Sequence, residues 1–139
     1  MKHKGSISQV YIERDRRIIP DLIRRAKYIV SYPTNRKKIF QAAASLPVKN
    51  HYISDESAID YVRSRMRGKH YHFANSHKEQ LYNSLYDEVI KMMQDARYKE
   101  TKLNDIILIA LTHPAPCVGL TPMGMYKIYI RLNAKKRQP

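Results

Sequence analysis

The stretch Ile39-Phe-Gln-Ala-Ala-Ala-Ser-Leu-Pro47-Val-Lys-Asn-His-Tyr-Ile-Ser54 decides the fold. Its first part is apolar and alanine-rich, which favours a helix. Pro47 ends that helix, because proline has no amide hydrogen to donate and biases the preceding residue away from helix. A short extended segment follows, and Ser54 then offers a side chain suited to start the next helix. The stretch predicts a helix, an extended link and a second helix.

The same arrangement recurs downstream at one constant offset, without a gap. Pro47 corresponds to Pro114 and Ser54 to Thr121, and Thr34 and Thr101 precede the apolar runs as predicted N-caps. The cap and stop residues coincide in both copies, although few other positions are identical. An internal repeat is therefore predicted.

Extending the repeat upstream adds one more helix to each copy, and Ser76-His-Lys-Glu79 forms a capping-box pattern at the start of the second copy. A further short helix is predicted over residues 6–18, broken at Pro20. We expect an all-α chain of two tandem trihelical, helix-turn-helix-like units. The predicted divisions are a basic N-terminal segment at 1–19, a first repeat at 20–69, a linker at 70–75 and a second repeat at 76–137.

Residues 125–132, Met-Tyr-Lys-Ile-Tyr-Ile-Arg-Leu, allow two interpretations. Their alternation and their β-favouring side chains are typical of a strand. The preceding Thr121-Pro122 pair and the alignment with Ala58–Met66 favour a helix, because proline is well tolerated at the first helical position. Helix is the preferred interpretation.

The chain is strongly basic, with 26 Lys and Arg against 12 Asp and Glu and a formal net charge of +14. Such a surplus repels itself and is best tolerated when a polyanion neutralises it. No run approaches the roughly 18 apolar residues of a membrane span, so we expect no membrane partner. Cys117 is alone and no secretory signal is evident at the N-terminus, so a cytoplasmic protein without an internal disulfide is expected.

The basic residues concentrate near both chain ends and on the last helix of each repeat, which favours a nucleic-acid footprint. In the first of these helices Ala58, Tyr61, Val62 and Met66 are predicted to face inward, leaving Ser57, Asp60, Arg63, Ser64 and Arg67 outward. In the second, the inward residues are Met125, Ile128, Tyr129 and Leu132. The predicted nucleic-acid-binding residues are Arg16, Arg17, Arg24, Arg25, Arg36, Lys37, Lys38, Lys49, Arg63, Arg67, Lys69, Lys127, Arg131, Lys135, Lys136 and Arg137.

The paired segments Pro47-Val-Lys-Asn-His-Tyr-Ile-Ser and Pro114-Ala-Pro-Cys-Val-Gly-Leu-Thr-Pro resemble those of small, basic, uncharacterised bacterial proteins with duplicated three-helix units. This resemblance covers most of the chain through short motifs, and it implies a fold without implying an activity. Tandem Myb-like repeats are similar in organisation only, since their regularly spaced tryptophans are absent. The link between the second and third helices is also longer than in helix-turn-helix units.

Catalytic chemistry is not expected. His70 and His72 could supply two zinc ligands, but no further ligands stand at suitable spacing, so no metal site is predicted. No glycine-rich phosphate loop is present, and no cofactor or small-molecule ligand is expected. The leading hypothesis is a non-enzymatic protein that binds double-stranded DNA. The alternatives are RNA or ribonucleoprotein binding, and a protein-interaction module with an acidic partner; the oligomeric state stays open.

Overall fold

A computed structural model describes residues 8–30 and 35–137, with the side chains of 135–137 left out. This part of the chain is helical and contains no strand, which confirms the all-α part of the prediction. The helices are α1 (Gln9–Glu13), a π-helical segment (Arg14–Ile18), α2 (Ile19–Ile29), α3 (Arg36–Ala44), α4 (Asp55–Met66), α5 (Ser76–Met93), a 3₁₀ turn (Ala96–Tyr98), α6 (Leu103–Ala110) and α7 (Pro122–Arg137).

The N-terminal helix continues through Pro20, so the predicted break at this residue is wrong. Pro20 is the second residue of α2, and proline has no amide hydrogen to donate to the preceding turn. The π-helical segment ends just before α2 begins. The backbone hydrogen bonds therefore change from the π-helical to the α-helical pattern next to Pro20. A carbonyl of the preceding turn would lack a partner there, because Pro20 has no N–H.

Two of the predicted N-caps are confirmed. The Ser54 hydroxyl accepts a hydrogen bond from the backbone N–H of Ser57 at 3.2 Å, and the Thr121 hydroxyl accepts one from the N–H of Gly124 at 3.0 Å. These bonds satisfy amides that a helix N-terminus leaves unpaired. Both helices that follow the extended links therefore begin where the sequence predicted.

The other predicted caps are displaced. Asn75 accepts from the N–H groups of His77 and Lys78 and is the N-cap of α5, so Ser76 is the first helical residue instead. Lys102 precedes α6 without a side-chain cap bond, so the prediction for Thr101 is wrong. Asn35 caps α3, and the predicted Thr34 lies outside the described residues. An asparagine takes the cap position of both α3 and α5 because its side-chain oxygen accepts well from the first turn.

Residues 125–132 are helical, which confirms the preferred interpretation over a strand. Met125 and Ile128 of α7 are buried as predicted, and so are Ala58 and Val62 of α4. Ser64 was predicted to face outward but is only 3% exposed. Its burial follows from the contacts of α4 with both α5 and α6, which together cover a wider face of the helix than a single apolar stripe.

The helices pack in an order that crosses the two predicted repeats. α2 and α3 pack against each other and against α7, whereas α4 packs against α5 and α6. The last helix of each predicted repeat therefore lies against the first two helices of the other. The packing thus forms two three-helix groups, α2–α3–α7 and α4–α5–α6.

The two extended links cross between the groups and pair with each other. Val48 and Ala115 form an isolated antiparallel bridge through hydrogen bonds of 3.0 and 2.9 Å. The N–H of His51 adds a bond of 2.9 Å to the carbonyl of Leu111. Val48, Ile53, Ala115 and Val118 are buried, so both links contribute side chains to the interior. The buried apolar residues of the two groups join in one core.

Candidate nucleic-acid interface

Four of the predicted binding residues line one groove between α2 and the link that follows α3. Arg17 comes from the π-helical segment, Arg24 and Arg25 from α2, and Lys49 from the link. The groove has a volume of about 690 Å³ and also contains Glu13 and Asp21. We call it the linker groove. Residues well separated in the sequence meet here because α2 packs beside the extended segment that starts at Pro47.

The acidic residues of the linker groove pair with its arginines. Arg17 lies 3.2 Å from the carboxylate of Glu13, and both Arg24 and Arg25 contact that of Asp21. The Arg17 and Arg24 side chains are about three-quarters exposed, at 75% and 72%. Exposed ion pairs of this kind contribute only about 0–1 kcal/mol. A phosphate can therefore displace the carboxylate contacts at little cost.

A second groove lies between α2, α3 and α7. Lys27 and Arg36 stand at its walls, and Phe40, Tyr126 and Tyr129 contribute aromatic rings. Its volume is about 620 Å³, and no acidic side chain lines it among the described residues. We call it the aromatic groove. Its charge is wholly positive, unlike that of the linker groove.

The start of α3 concentrates positive charge. Arg36, Lys37 and Lys38 are consecutive and exposed in the first turn, which contains no acidic residue. A helix N-terminus carries a partial positive charge, so each cation placed there is unfavourable by roughly 0.3–1 kcal/mol. Arg36 and Lys37 also line an adjoining groove with Phe40 and Met123. An anion bound at this turn would relieve the repulsion.

The predicted cations on α4 lie in the other helix group. All three, Arg63, Arg67 and Lys69, are exposed. The Arg63 Nε donates to the Asn104 side-chain oxygen at 2.8 Å, and a guanidinium nitrogen of Arg67 lies 3.4 Å from the Ser64 hydroxyl. Both arginines therefore have contacts within the protein. Because α4 and α7 pack in different groups, the structure does not bring the two final helices together as one surface.

The remaining predicted residues are exposed or undescribed. Lys127 and Arg131 are exposed on α7, and Arg16 is exposed on the π-helical segment. The side chains of Lys135, Lys136 and Arg137 lie outside the described part of the structure. Lys127 and Arg131 of α7 therefore add positive charge to the helix group that contains both grooves.

Sequence reasoning missed several residues of this surface. Lys27 lines the aromatic groove, and Tyr28 beside it is 87% exposed at the end of α2. Tyr126 lines the same groove from α7. A signal existed for Lys27, which is three residues after Arg24 and so shares its side of the helix. The position of Tyr126 depends on packing between α3 and α7, which no local pattern specifies.

Arg65, another residue that the sequence did not single out, is held inside the α4–α5–α6 group. Its guanidinium donates to the Tyr61 hydroxyl at 3.1 Å and to the Asn83 side chain at 3.0 Å, and it lies 4.0 Å from the ring centre of Tyr86. A guanidinium over an aromatic ring is stabilised by the ring's quadrupole. Arg65 therefore joins α4 to α5 and belongs to the packing of that group.

A partly buried polar network joins the first link to α5. The His51 ring bonds to the Ser84 hydroxyl and to the carbonyl of His113, both at 2.9 Å, and the His113 ring bonds to Glu88 at 2.8 Å. Burial lowers the pKa of His51 below its ordinary value, against the raising effects of the His113 carbonyl and Glu88. Neither His51 nor Ser84 lines any of the grooves described above.

The histidines and the cysteine form no evident chemical centre in the described residues. His70 and His72 are exposed in the segment between α4 and α5. Residues 8–30 and 35–137 contain no cluster of three or more potential metal ligands. Cys117 is buried, with its thiol donating to the His77 carbonyl at 3.3 Å. Burial raises the pKa of this thiol, which disfavours the reactive thiolate.

Comparison with protein-family models, curated proteins and solved structures finds no match to this chain. A search of the described helices also finds none with the length and apolar character needed to cross a membrane.

Proposed function

We propose that the protein binds nucleic acid, preferably duplex DNA, through the face formed by α2, α3 and α7. The proposal rests on the meeting of Arg17, Arg24, Arg25 and Lys49 in the linker groove. Phosphate contacts from Arg and Lys supply most of the affinity in such complexes and release condensed counterions. The cations of the α3 first turn extend the same positive face. We propose binding as the function, without catalysis.

We further propose that the chain is a duplicated three-helix unit whose copies have exchanged their last helices. The matching stop and cap residues of the two links and the pairing of Val48 with Ala115 support this view. Trihelical units commonly present their last helix to DNA. In this protein α7, with exposed Lys127 and Arg131, lies in the same group as the two basic grooves, which favours α7 over α4 for contact.

The test is a titration of a fluorescently labelled duplex at two salt concentrations. We expect affinity to fall steeply as salt rises, with a logarithmic slope of about −0.9 for each phosphate neutralised. The triple variant Arg24→Ala, Arg25→Ala, Lys49→Ala should bind more weakly and show a slope that is shallower by about two to three.

The matched control removes the same charge elsewhere. Lys91, Lys99 and Lys102 are exposed on or beside the α4–α5–α6 group, and their replacement by alanine should leave the salt slope nearly unchanged. No duplex binding at low salt, or binding that is indifferent to salt, would overturn the proposed function. An equal loss in the control would overturn the assignment to this face. Competition by structured RNA that exceeds competition by duplex would reverse the preference for DNA.

A further inference from the structure

We infer that the aromatic groove binds one unpaired base of a nucleic acid, with the flanking phosphates at Lys27 and Arg36. This inference rests on the proposed function and adds a preference for nucleic acid in which a single strand adjoins a duplex. It follows from three properties of the groove: its rings, its charge and its size.

The rings belong to a packed aromatic cluster that opens to solvent on one side. Phe40 is buried, and the ring centres of Tyr126 and Tyr129 lie 5.4 and 5.7 Å from it. The two tyrosines are only half-buried, so both keep accessible surface in the groove. Rings fixed by a buried neighbour can receive a planar base at a low entropic cost. Stacking of a base on such a ring contributes about 1–3 kcal/mol.

The charge of the groove selects an anionic occupant. Lys27 and Arg36 are exposed and form no ion pair with any described residue. Arg36 also lies in the acid-free first turn of α3, where the helix dipole adds to its charge. An occupant that is both planar and flanked by negative charge matches rings between two cations. A nucleotide within a strand has this combination.

The groove also has suitable dimensions and polar contacts. Its volume of about 620 Å³ lies within the roughly 300–1,000 Å³ typical of small-ligand sites. Asn133 lines the wall on α7, and its amide can both donate to and accept from a base edge. Ile130, 47% exposed, lines the same groove and leaves an apolar surface uncovered.

A base inside a duplex cannot occupy this groove, because both of its faces are stacked on neighbours. The groove therefore favours a nucleotide that is unpaired before binding, since extruding a paired base costs a few kcal/mol. The linker groove, lined by other residues of α2, requires only phosphates and can hold the adjoining duplex. Together the two grooves distinguish a junction from a continuous duplex.

The experiment compares three labelled probes: a blunt duplex, the same duplex with a single-stranded overhang, and that overhang made abasic with all its phosphates kept. We expect the intact overhang to bind at least about fivefold more tightly than the abasic one. A 2-aminopurine placed in the overhang should be quenched on binding, because stacking on a tyrosine quenches its fluorescence.

The double variant Tyr126→Leu, Tyr129→Leu should bind intact and abasic overhangs equally and lose the quenching. The surface variant Ile130→Glu should do the same without altering the core, because Ile130 lies in the groove and its side chain is exposed. Tyr71→Leu is the matched control, since Tyr71 is 44% exposed in the other helix group and should keep the preference.

Equal affinity for intact and abasic overhangs, with the blunt duplex still bound, would overturn the inference and leave the proposed function standing. Loss of binding to all three probes would overturn both. Displacement of the overhang by a polyglutamate peptide, without loss of blunt-duplex binding, would assign the groove to an acidic peptide and overturn the inference as well.

Discussion

The backbone N–H of Val48 donates to the carbonyl of Ala115 at 3.0 Å, and the N–H of Ala115 returns a bond of 2.9 Å to Val48. Each residue directly follows a proline, Pro47 or Pro114, that comes after a helix. Their pairing joins the two links where they cross between helix groups. Both grooves of the proposed interface depend on this crossing, because it places Lys49 beside α2 and α7 beside α3.

Replacement of Val48 by alanine should lower the free energy of unfolding by about 1–3 kcal/mol, since it removes buried apolar atoms and leaves a cavity at the crossing. Urea unfolding followed by circular dichroism and by tyrosine fluorescence measures the change. We expect the two signals to coincide, because the groups share one core. Lys49 is the next residue and its side chain is exposed, so Lys49→Ala should change the free energy of unfolding by less than about 0.5 kcal/mol. Two separate transitions would contradict the shared core.

Two glycines with a positive φ offer a matched comparison. Gly119 has φ +86°, and a Cβ there would lie 2.6 Å from the Leu81 Cδ2, whereas Gly68 has φ +88° and open space around it. Gly68→Ala should lower the free energy of unfolding by about 1 kcal/mol, from backbone strain alone. Gly119→Ala should cost more, about 2–3 kcal/mol, because Leu81 must also move. Thermal unfolding compares the two, and equal losses would argue against the close contact with Leu81.

The corrected cap of α5 is testable at neighbouring positions. Asn75→Ala should destabilise the protein by about 1–2 kcal/mol, because its oxygen serves two backbone N–H groups and its amide donates to the Gly119 carbonyl. Ser76→Ala should be close to neutral, since Ser76 is already inside the helix. Chemical denaturation of both variants is the measurement. A larger loss of unfolding free energy for Ser76→Ala than for Asn75→Ala would favour Ser76 as the N-cap, as the sequence predicted.

The buried His51 should make stability depend on pH. Burial lowers its pKa in the folded chain, although Glu88 and the His113 carbonyl oppose this effect. Well above the ordinary histidine pKa of about 6.5, both the folded and the unfolded forms are neutral at this residue. Below that value the unfolded chain takes up a proton before the folded chain does, so the free energy of unfolding falls until the folded-state pKa is passed.

Unfolding of the wild type and of His51→Gln at pH 7.5, 6.5 and 5.5 measures this contribution, because titrating groups that do not interact with His51 cancel in the difference. The wild type should lose stability more steeply than the variant as pH falls. An equal loss of unfolding free energy with falling pH in both proteins would show that His51 does not cause the pH dependence.

Much of the candidate interface could be named from the sequence, because an Arg or Lys on the polar side of a helix is exposed wherever that helix packs. Arg24 and Arg25 are examples. Their grouping with Lys49 was not visible, since the chain between them includes all of α3. The same holds for Tyr126 and Lys27, which share a groove only because α7 returns to α2 and α3.

By itself, the sequence determined that the chain is helical and where the crossing links end, because helix starts and stops depend on residues a few positions apart. Ser54 and Thr121 cap their helices as local chemistry dictates. Only the tertiary structure decided which helices pack together. An apolar stripe on α4 or α7 is compatible with either pair of neighbours, so the choice depends on the direction of the two links and their pairing at Val48 and Ala115.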